Sequence, residues 1–237
     1  IRSESFGIET YSPSQDRDLE EARVHDAGDL ELPFGAPDRA LDMIEGKAAA
    51  ILDDGKVPFL LGGEHLVTLG SVRAAAKRFP GLRIIHFDAH ADLREDYLGV
   101  ALSHACVMRR CHDLLGDGRI WQFGVRSGTR EEFAFMKAGH VVTEPFTLDT
   151  LPQVSFPEGT PVYLTVDLDV LDPSEFPGTG TQEAGGCGSR SCWRPCATCW
   201  RASAWWRWTT WSFLRRSIPP AVPRPSPASF CARTCWR

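Results

Sequence analysis

The sequence predicts an α/β protein built on a mostly parallel sheet with helices on both faces, a three-layer α/β/α arrangement. Short apolar strands alternate with amphipathic helices from about residue 38 to residue 170, the pattern of parallel βα units. The chain has 237 residues, 43% of them apolar, which suffices for one large core. Three of the strands run into ionisable side chains at their carboxyl ends, where open parallel sheets bind ligands.

The elements follow in order. "DRALDMIEGKAAAILDDGK" has Leu41, Ile44, Ala48, Ile51 and Leu52 at helical spacing and ends near Gly55. "VPFLLGG" is a short apolar strand, and "LVTLGSVRAAAKRF" is the next helix, closed by Pro80-Gly81. "LRIIHF" is a strand and "SHACVMRRCHDLL" a helix. "RIWQFGV" is a strand, and "TREEFAFMKAG" is a helix with Thr129 as N-cap and Glu132 three residues on. "PVYLTVDLDV" is a further strand, introduced by Gly159-Thr160-Pro161. No internal repeat is visible.

Charge divides the chain. Residues 1–186 carry all 31 acidic residues against 17 basic ones, a net charge of −14. Residues 187–237 carry nine Arg and no Lys, Asp or Glu, a net charge of +9, with six of the eight Cys and seven of the eight Trp. Arg and Trp together fit a nucleic-acid surface, and Cys192, Cys196, Cys199, Cys231 and Cys235 faintly resemble zinc spacing. Neither reading is adopted. The segment has no His, no second regular ligand pair and no helical or strand period, and "PPAVPRPSP" reads as linker. The expectation is an aberrant tail rather than a domain, produced by a slip of reading frame near Gly186. Leu and Val codons of GC-rich DNA read one base out of frame give Cys and Trp, with Arg, Pro and Ser alongside. No apolar run approaches the roughly 18 residues of a spanning helix, and no leader is visible. The expected setting is cytoplasmic, with neither membrane nor nucleic acid as partner. The chain opens at Ile1 rather than Met and reads as a fragment.

The strand ends carry the chemistry. "PFLLGGEH" ends at His65, "RIIHFDAHAD" at Asp88, His90 and Asp92, and "VYLTVDLD" at Asp167 and Asp169. Alternate residues of an extended segment share one face, so each set is expected to converge. Four carboxylates and two imidazoles at one spot need compensation, which divalent cations supply. Oxygen-rich ligation with some imidazole suits Mn²⁺, and six ligands exceed what one catalytic zinc takes. Two ions about 3.5–4 Å apart can hold a bridging water near a neutral pKa, the chemistry of a hydrolase. A calcium loop counted from Asp88 fails, with His90 third, Leu93 sixth and Gly99 twelfth.

"GGEH" at 62–65, "FDAHADLR" at 87–94, "SHACVMRR" at 103–110, "GVRSGTREEF" at 124–133 and "VDLDVLDPSEFPGTGTQEAGG" at 166–186 resemble the ureohydrolases, the family of arginases and agmatinases. The resemblance runs from about residue 30 to Gly186. The short loop between Asp92 and His104 and the "LDPSEFPGTGTQEAGG" segment look more like agmatinase than arginase. It implies an arginase-like α/β/α fold, here incomplete at both ends, and two Mn²⁺ per chain. One ion would take His65, Asp88, Asp92 and Asp167, and the other Asp88, His90, Asp167 and Asp169. Asp92 would orient a bridging hydroxide that attacks the guanidinium carbon, and His104 matches the family's proton-shuttling histidine. The implied partner is a small cationic guanidino substrate. Agmatine would give urea and putrescine, with arginine, guanidinobutyrate and aminopropylagmatine as alternatives. A homotrimer or hexamer is also implied. The family grips its substrate with a later acid, but "AWWRWTTWSFL" has none, so an impaired, metal-binding chain is the competing expectation.

Other residues read more plainly. His86 shares parity with Asp88 and reads as a hydrogen-bonded core histidine, or as support behind the site. His25, His112 and His140 read as surface or packing residues. Cys106 and Cys111 read as small buried hydrophobes, and Arg126 as one half of a structural salt bridge. Glu183 has no role that its sequence position supplies.

Overall fold

A computed structural model describes residues 2–13, 16–189 and 206–212. The predicted aberrant tail lies outside the described residues except at 187–189 and 206–212. Two compact units divide the described residues, one within 30–212 and one within 2–29. In the second of these, a short helix α1 (Arg2–Ser5) precedes β1 (Tyr11–Ser12), which pairs antiparallel with β2 (Arg17–Asp18). Tyr11 Oη donates to Asp16 Oδ1 across that turn at 2.8 Å.

The larger unit follows the predicted alternation. Pro37 opens α2 (Pro37–Asp53), whose Leu41, Ile44, Ala48 and Leu52 form one buried stripe. Then come β3 (Phe59–Gly62), α3 (Val67–Arg78) and β4 (Arg83–Phe87). A 3₁₀ turn at His104–Cys106 leads into α4 (Val107–Leu115), which stops at Gly116 with φ +84°. After β5 (Ile120–Phe123), α5 (Arg130–Lys137) starts with the predicted capping box between Thr129 and Glu132. The strands β6 (Val142–Glu144), β7 (Val162–Asp167) and β8 (Trp206–Ser212) complete the unit.

Six strands form one parallel sheet in the order β3-β8-β7-β4-β5-β6. The chain leaves β4 toward β5 and β6, then returns to place β7 on the other side of β4. That reversal opens a crevice at the carboxyl ends of β4 and β7. Ile84 is partnered with Ile120 and Tyr163, and these three share one buried cluster with α2, α3, α4 and α5. Close packing of α2 on α3 depends on Gly70, where a Cβ would sit 2.9 Å from Ile44 and from the Leu41 carbonyl. No helix of the described residues is long and apolar enough to cross a membrane.

Three expectations need correction. The strand predicted in "LRIIHF" ends at Phe87 as expected, but the extended backbone expected to carry on through Asp92 does not follow it. The strand predicted through Val170 ends at Asp167, where residues Leu168–Val170 form a 3₁₀ turn. Carboxylates at those ends recruit backbone N–H groups into tight turns: Asp88 Oδ1 accepts from His90 N (2.6 Å) and Asp167 Oδ1 from Asp169 N (3.1 Å). The third is β8, a strand where no strand period was read. Trp and Thr favour extended backbone, and the slot between β3 and β7 offers hydrogen-bonding partners on both sides. The short β6 was also unpredicted.

Candidate metal centre

The site grows from the carboxyl ends of β3, β4 and β7. His65 follows β3 and is 2% exposed. Its Nδ1 faces Asp88 Oδ2 at 3.0 Å, Asp92 Oδ2 at 3.0 Å and Asp167 Oδ2 at 3.7 Å. His90 Nδ1 faces Asp169 Oδ2 at 3.0 Å and Asp88 Oδ1 at 3.3 Å. Asp88, 1% exposed, therefore lies between two groups and offers one carboxylate oxygen to each. All six predicted ligands are brought together. They converge through turns rather than along strand faces, with Asp92 in the left-handed region at φ +54°, which Asp tolerates better than most residues.

The surrounding polar residues explain how this density of charge is held. His86, Gln122 and Thr165 are register partners on β4, β5 and β7, each 0% exposed. Gln122 Nε2 donates to the Ala91 carbonyl (2.7 Å) and to His86 Nδ1 (3.0 Å). His86 must then carry its proton on Nε2 and donate it to Asp88 Oδ2 (2.9 Å). His86 is thus both a core histidine and a support behind the site. The Ala89 N–H donates to Asp169 Oδ1 (3.0 Å), and the Leu93 N–H to Glu132 Oε1 (2.8 Å), so the α5 capping residue also fastens the Asp88–Leu93 turn. Gly124 sits under that turn, where a Cβ would be 2.7 Å from Val170 Cγ2 and 3.3 Å from the Asp88 carbonyl.

One role differs from expectation, and Glu183 gains one that its sequence position does not supply. Arg126 makes no salt bridge among the described residues; its guanidinium donates to the carbonyls of Gly124, Asp169, Val170, Leu171, Glu183 and Ala184. Glu183 accepts from Ser127 Oγ (2.8 Å) and lies 3.7 Å from His90 Nε2. His104 stands at the rim, its side chain 43% exposed, with Nδ1 3.5 Å from Glu64 Oε2 and its ring edge-on to Tyr97. Cys106 and Cys111 are both buried and free.

The electrostatics are those of a site built for cations. Burial pushes the Asp167 carboxyl well above its ordinary value, and the neighbouring Asp169 and Asp88 add to it. Burial and Asp88 push Asp169 up to about 7. Burial opposes charge on His65 and His90, yet the carboxylates facing them prevail: His65, beside Asp88 and Asp92, is held well above the usual histidine range, and His90, on Asp169 and Asp88, reaches about 11. His65 Nδ1 is a buried nitrogen without a well-formed hydrogen bond, although three carboxylate oxygens surround it. Its Nε2 lies 3.0 Å from Thr165 Oγ1, the partner that orients a metal-ligating imidazole. The donor set therefore fits divalent cations in two groups that share Asp88.

Because these ligands hold protons, cation uptake must displace them, and affinity should rise with pH. For each proton released, the dissociation constant for Mn²⁺ should fall about tenfold per pH unit between about pH 6 and pH 8. Titration of the chelator-stripped chain at several pH values, with the released protons counted in weak buffer, checks this. A flat profile would show the ligands to be already deprotonated.

A family model described as the arginase family matches residues 1–200. The chain belongs to the arginase family. Its likeness to individual members is closer than the family match requires. Agmatinases of Bacillus anthracis and Bacillus subtilis are 50% and 49% identical over 196 residues, covering 80% of this chain. The chain spans just under two thirds of their length, 66% in each case. A crystal structure from Clostridium difficile, 40% identical, superposes with a TM-score of 0.89 over 98% of this chain and 83% of that one. The agmatine ureohydrolase of Thermoplasma volcanium, 30% identical, gives 0.81 over 98% and 78%. The arginase-like α/β/α fold expected from sequence is thereby established.

Proposed function

We propose that this chain is a manganese-dependent ureohydrolase that cleaves agmatine to putrescine and urea. The observation that carries the reading is the buried constellation around Asp88, and the 50% identical agmatinase supports the choice of substrate. His65, Asp88, Asp92 and Asp167 would hold one Mn²⁺, and Asp88, His90, Asp167 and Asp169 the other. Bound there, two cations supply Lewis-acid activation of water and of the guanidino group. The chain's own residues do the rest. Asp92 accepts a hydrogen bond from the attacking water and so orients it toward the guanidino carbon. His104 has Nδ1 turned to Glu64, whose hydrogen bond raises its affinity for a proton. Its Nε2 is then the nitrogen that delivers a proton to the departing amine as the C–N bond breaks. The chain is proposed to assemble as a homotrimer or homohexamer, as its family does.

Replacing His104 with asparagine should lower kcat about 10²- to 10³-fold while KM and bound manganese stay within about twofold. Unchanged kcat across the pH range would remove His104 from the reaction. The function itself is tested by urea release from the Mn²⁺-loaded chain with agmatine, arginine and 4-guanidinobutanoate. Agmatine should be turned over with the highest kcat/KM.

A second reading, an impaired metal-binding scaffold, is favoured by one observation. No Asp or Glu occurs from Cys187 to Arg237, although the family resemblance places the acid that grips the substrate there. We attribute that composition to a shift of reading frame near Gly186. Two Mn²⁺ bound per chain with no urea formed supports this second reading, whereas no metal bound overturns both. The coding DNA offers a direct check: one of the other two frames past codon 186 should encode an acid-containing α/β sequence.

A further inference from the structure

We infer that the chain carries a second metal site, distinct from the Asp88 constellation: a Zn²⁺ site formed by His112, Asp117 and His140. His112 Nε2 and His140 Nδ1 lie 2.7 and 2.8 Å from the same oxygen, Asp117 Oδ1, and the three ligand atoms converge within 4.8 Å. Two imidazoles and one carboxylate make a borderline donor set that suits Zn²⁺ and leaves a fourth position to water. The set is poor for Mn²⁺, which favours oxygen.

The position in the fold makes this cluster more than a chance surface contact. His112 lies in the last turn of α4, and Asp117 in the turn that follows, between Gly116 (φ +84°) and Gly118 (φ +66°). His140 follows Gly139 (φ +88°) after α5, and the Gly118 N–H donates to the His140 carbonyl at 2.9 Å, tying the two turns together. Both turns lead into the amino ends of β5 and β6. The Asp88 constellation lies at the opposite, carboxyl ends, about 15 Å away by strand length.

Both rings are already aimed. Phe135 stacks on His140 at 4.3 Å and 25°, and meets His112 edge-on at 4.9 Å and 84°. Arg109 covers Phe135 with its guanidinium 4.7 Å from the ring centre. Both imidazoles stabilise the Asp117 carboxylate and hold its carboxyl below its ordinary value.

The His112 tautomer supplies a second, independent observation. With Nε2 turned to Asp117, the buried His112 Nδ1 has no hydrogen-bond partner, and Asp113 Oδ1 lies 4.0 Å away. When Nε2 ligates a cation through its lone pair, the proton moves to Nδ1 and faces that carboxylate. A carboxylate behind a ligating imidazole is the usual support of a zinc site. Tetrahedral ligands about 2.0–2.1 Å from zinc stand about 3.3 Å apart. Asp117, two-thirds exposed, has room to retreat by the roughly half ångström that separates its present distances from that spacing.

The test counts zinc. The chelator-stripped full chain, His140→Ala and Asp117→Asn are equilibrated with Zn²⁺, desalted and analysed by mass spectrometry for metal. The parent chain should hold one more zinc than His140→Ala, and Asp117→Asn should bind that ion at least tenfold more weakly. In the parent chain, that same equivalent should shift the ring ¹⁵N resonances of His112 and His140. Equal zinc counts in parent and His140→Ala, or unmoved His112 and His140 resonances, would overturn the proposal. Neither result depends on the Asp88 constellation, which all three chains share.

Discussion

On the proposed function, replacing Asp88 with asparagine is expected to strip both groups of metal and to lower urea release at least about 10³-fold. Asp88 Oδ2 faces His65 and His86, while Oδ1 faces His90 and accepts its backbone N–H. Asparagine keeps the shape, but it removes the charge and turns an amide N–H₂ toward at least one imidazole N–H. In the metal-free chain, burial alone would raise the Asp88 carboxyl; the bonds from His65, His86 and His90 outweigh it and hold the group well below the usual carboxylate range. A depressed folded-state value stabilises the fold above the ordinary carboxylate pKa, and that stabilisation is lost as pH falls through the folded value. Breaking such a buried pair costs about 3–5 kcal/mol, so denaturant unfolding of metal-free Asp88→Asn at neutral pH should show a loss of that order. Asp92→Asn is the informative contrast. Its carboxylate faces His65 and pairs with no other imidazole among the described residues, so the His90–Asp169 group should keep its cation. If both variants lose the same amount of metal, Asp88 is not the shared ligand.

Much of this is legible in the sequence, for reasons that differ from element to element. Helices α2 and α5 were readable because the determinants are local: the 3.6-residue stripe of Leu41, Ile44, Ala48 and Leu52, and the Thr129–Glu132 cap. The convergence of His65, Asp88, His90, Asp92, Asp167 and Asp169 was readable because charged residues end otherwise apolar strands, and burial makes such residues too costly to be accidental. Their route of convergence was not readable, because it depends on Asp88 and Asp167 capturing N–H groups and ending their own strands. His86, Gln122 and Thr165 each left a signal, one polar residue inside "IIHF", "IWQF" and "LTV". Only sheet register shows that these three positions are neighbours. Strand β8 was missed because its slot is created by other strands rather than by its own period.

The same dependence on distant segments makes Arg126 the position whose loss should cost most outside the ligands. Its Nη2 donates to the carbonyls of Asp169 (2.7 Å), Glu183 (2.8 Å) and Leu171 (3.4 Å). Its Nη1 donates to Gly124 and Val170, both at 3.3 Å, and its Nε to Ala184 at 3.1 Å. One planar cation thus neutralises a crowd of carbonyl dipoles from three separate stretches of chain. The fit leaves no slack: a Cβ on Gly186 would lie 2.8 Å from Nη2 and 2.5 Å from the Leu171 and Asp172 backbone. Arg126→Ala should cost about 2–4 kcal/mol, less than the sum of the bonds because water reaches this half-buried position. Asp169 and Glu183 sit on the released stretches, and both face His90. Affinity for the cation at His90 should therefore fall about 10- to 100-fold, the usual effect of removing support behind a ligand. Arg126→Lys should recover less than half of either loss, since an ammonium cannot fork toward carbonyls on three sides. Unfolding midpoints and Mn²⁺ titrations of the two variants settle the matter. Parent-like stability in Arg126→Ala would mean that the carbonyl cluster is held by the turns themselves.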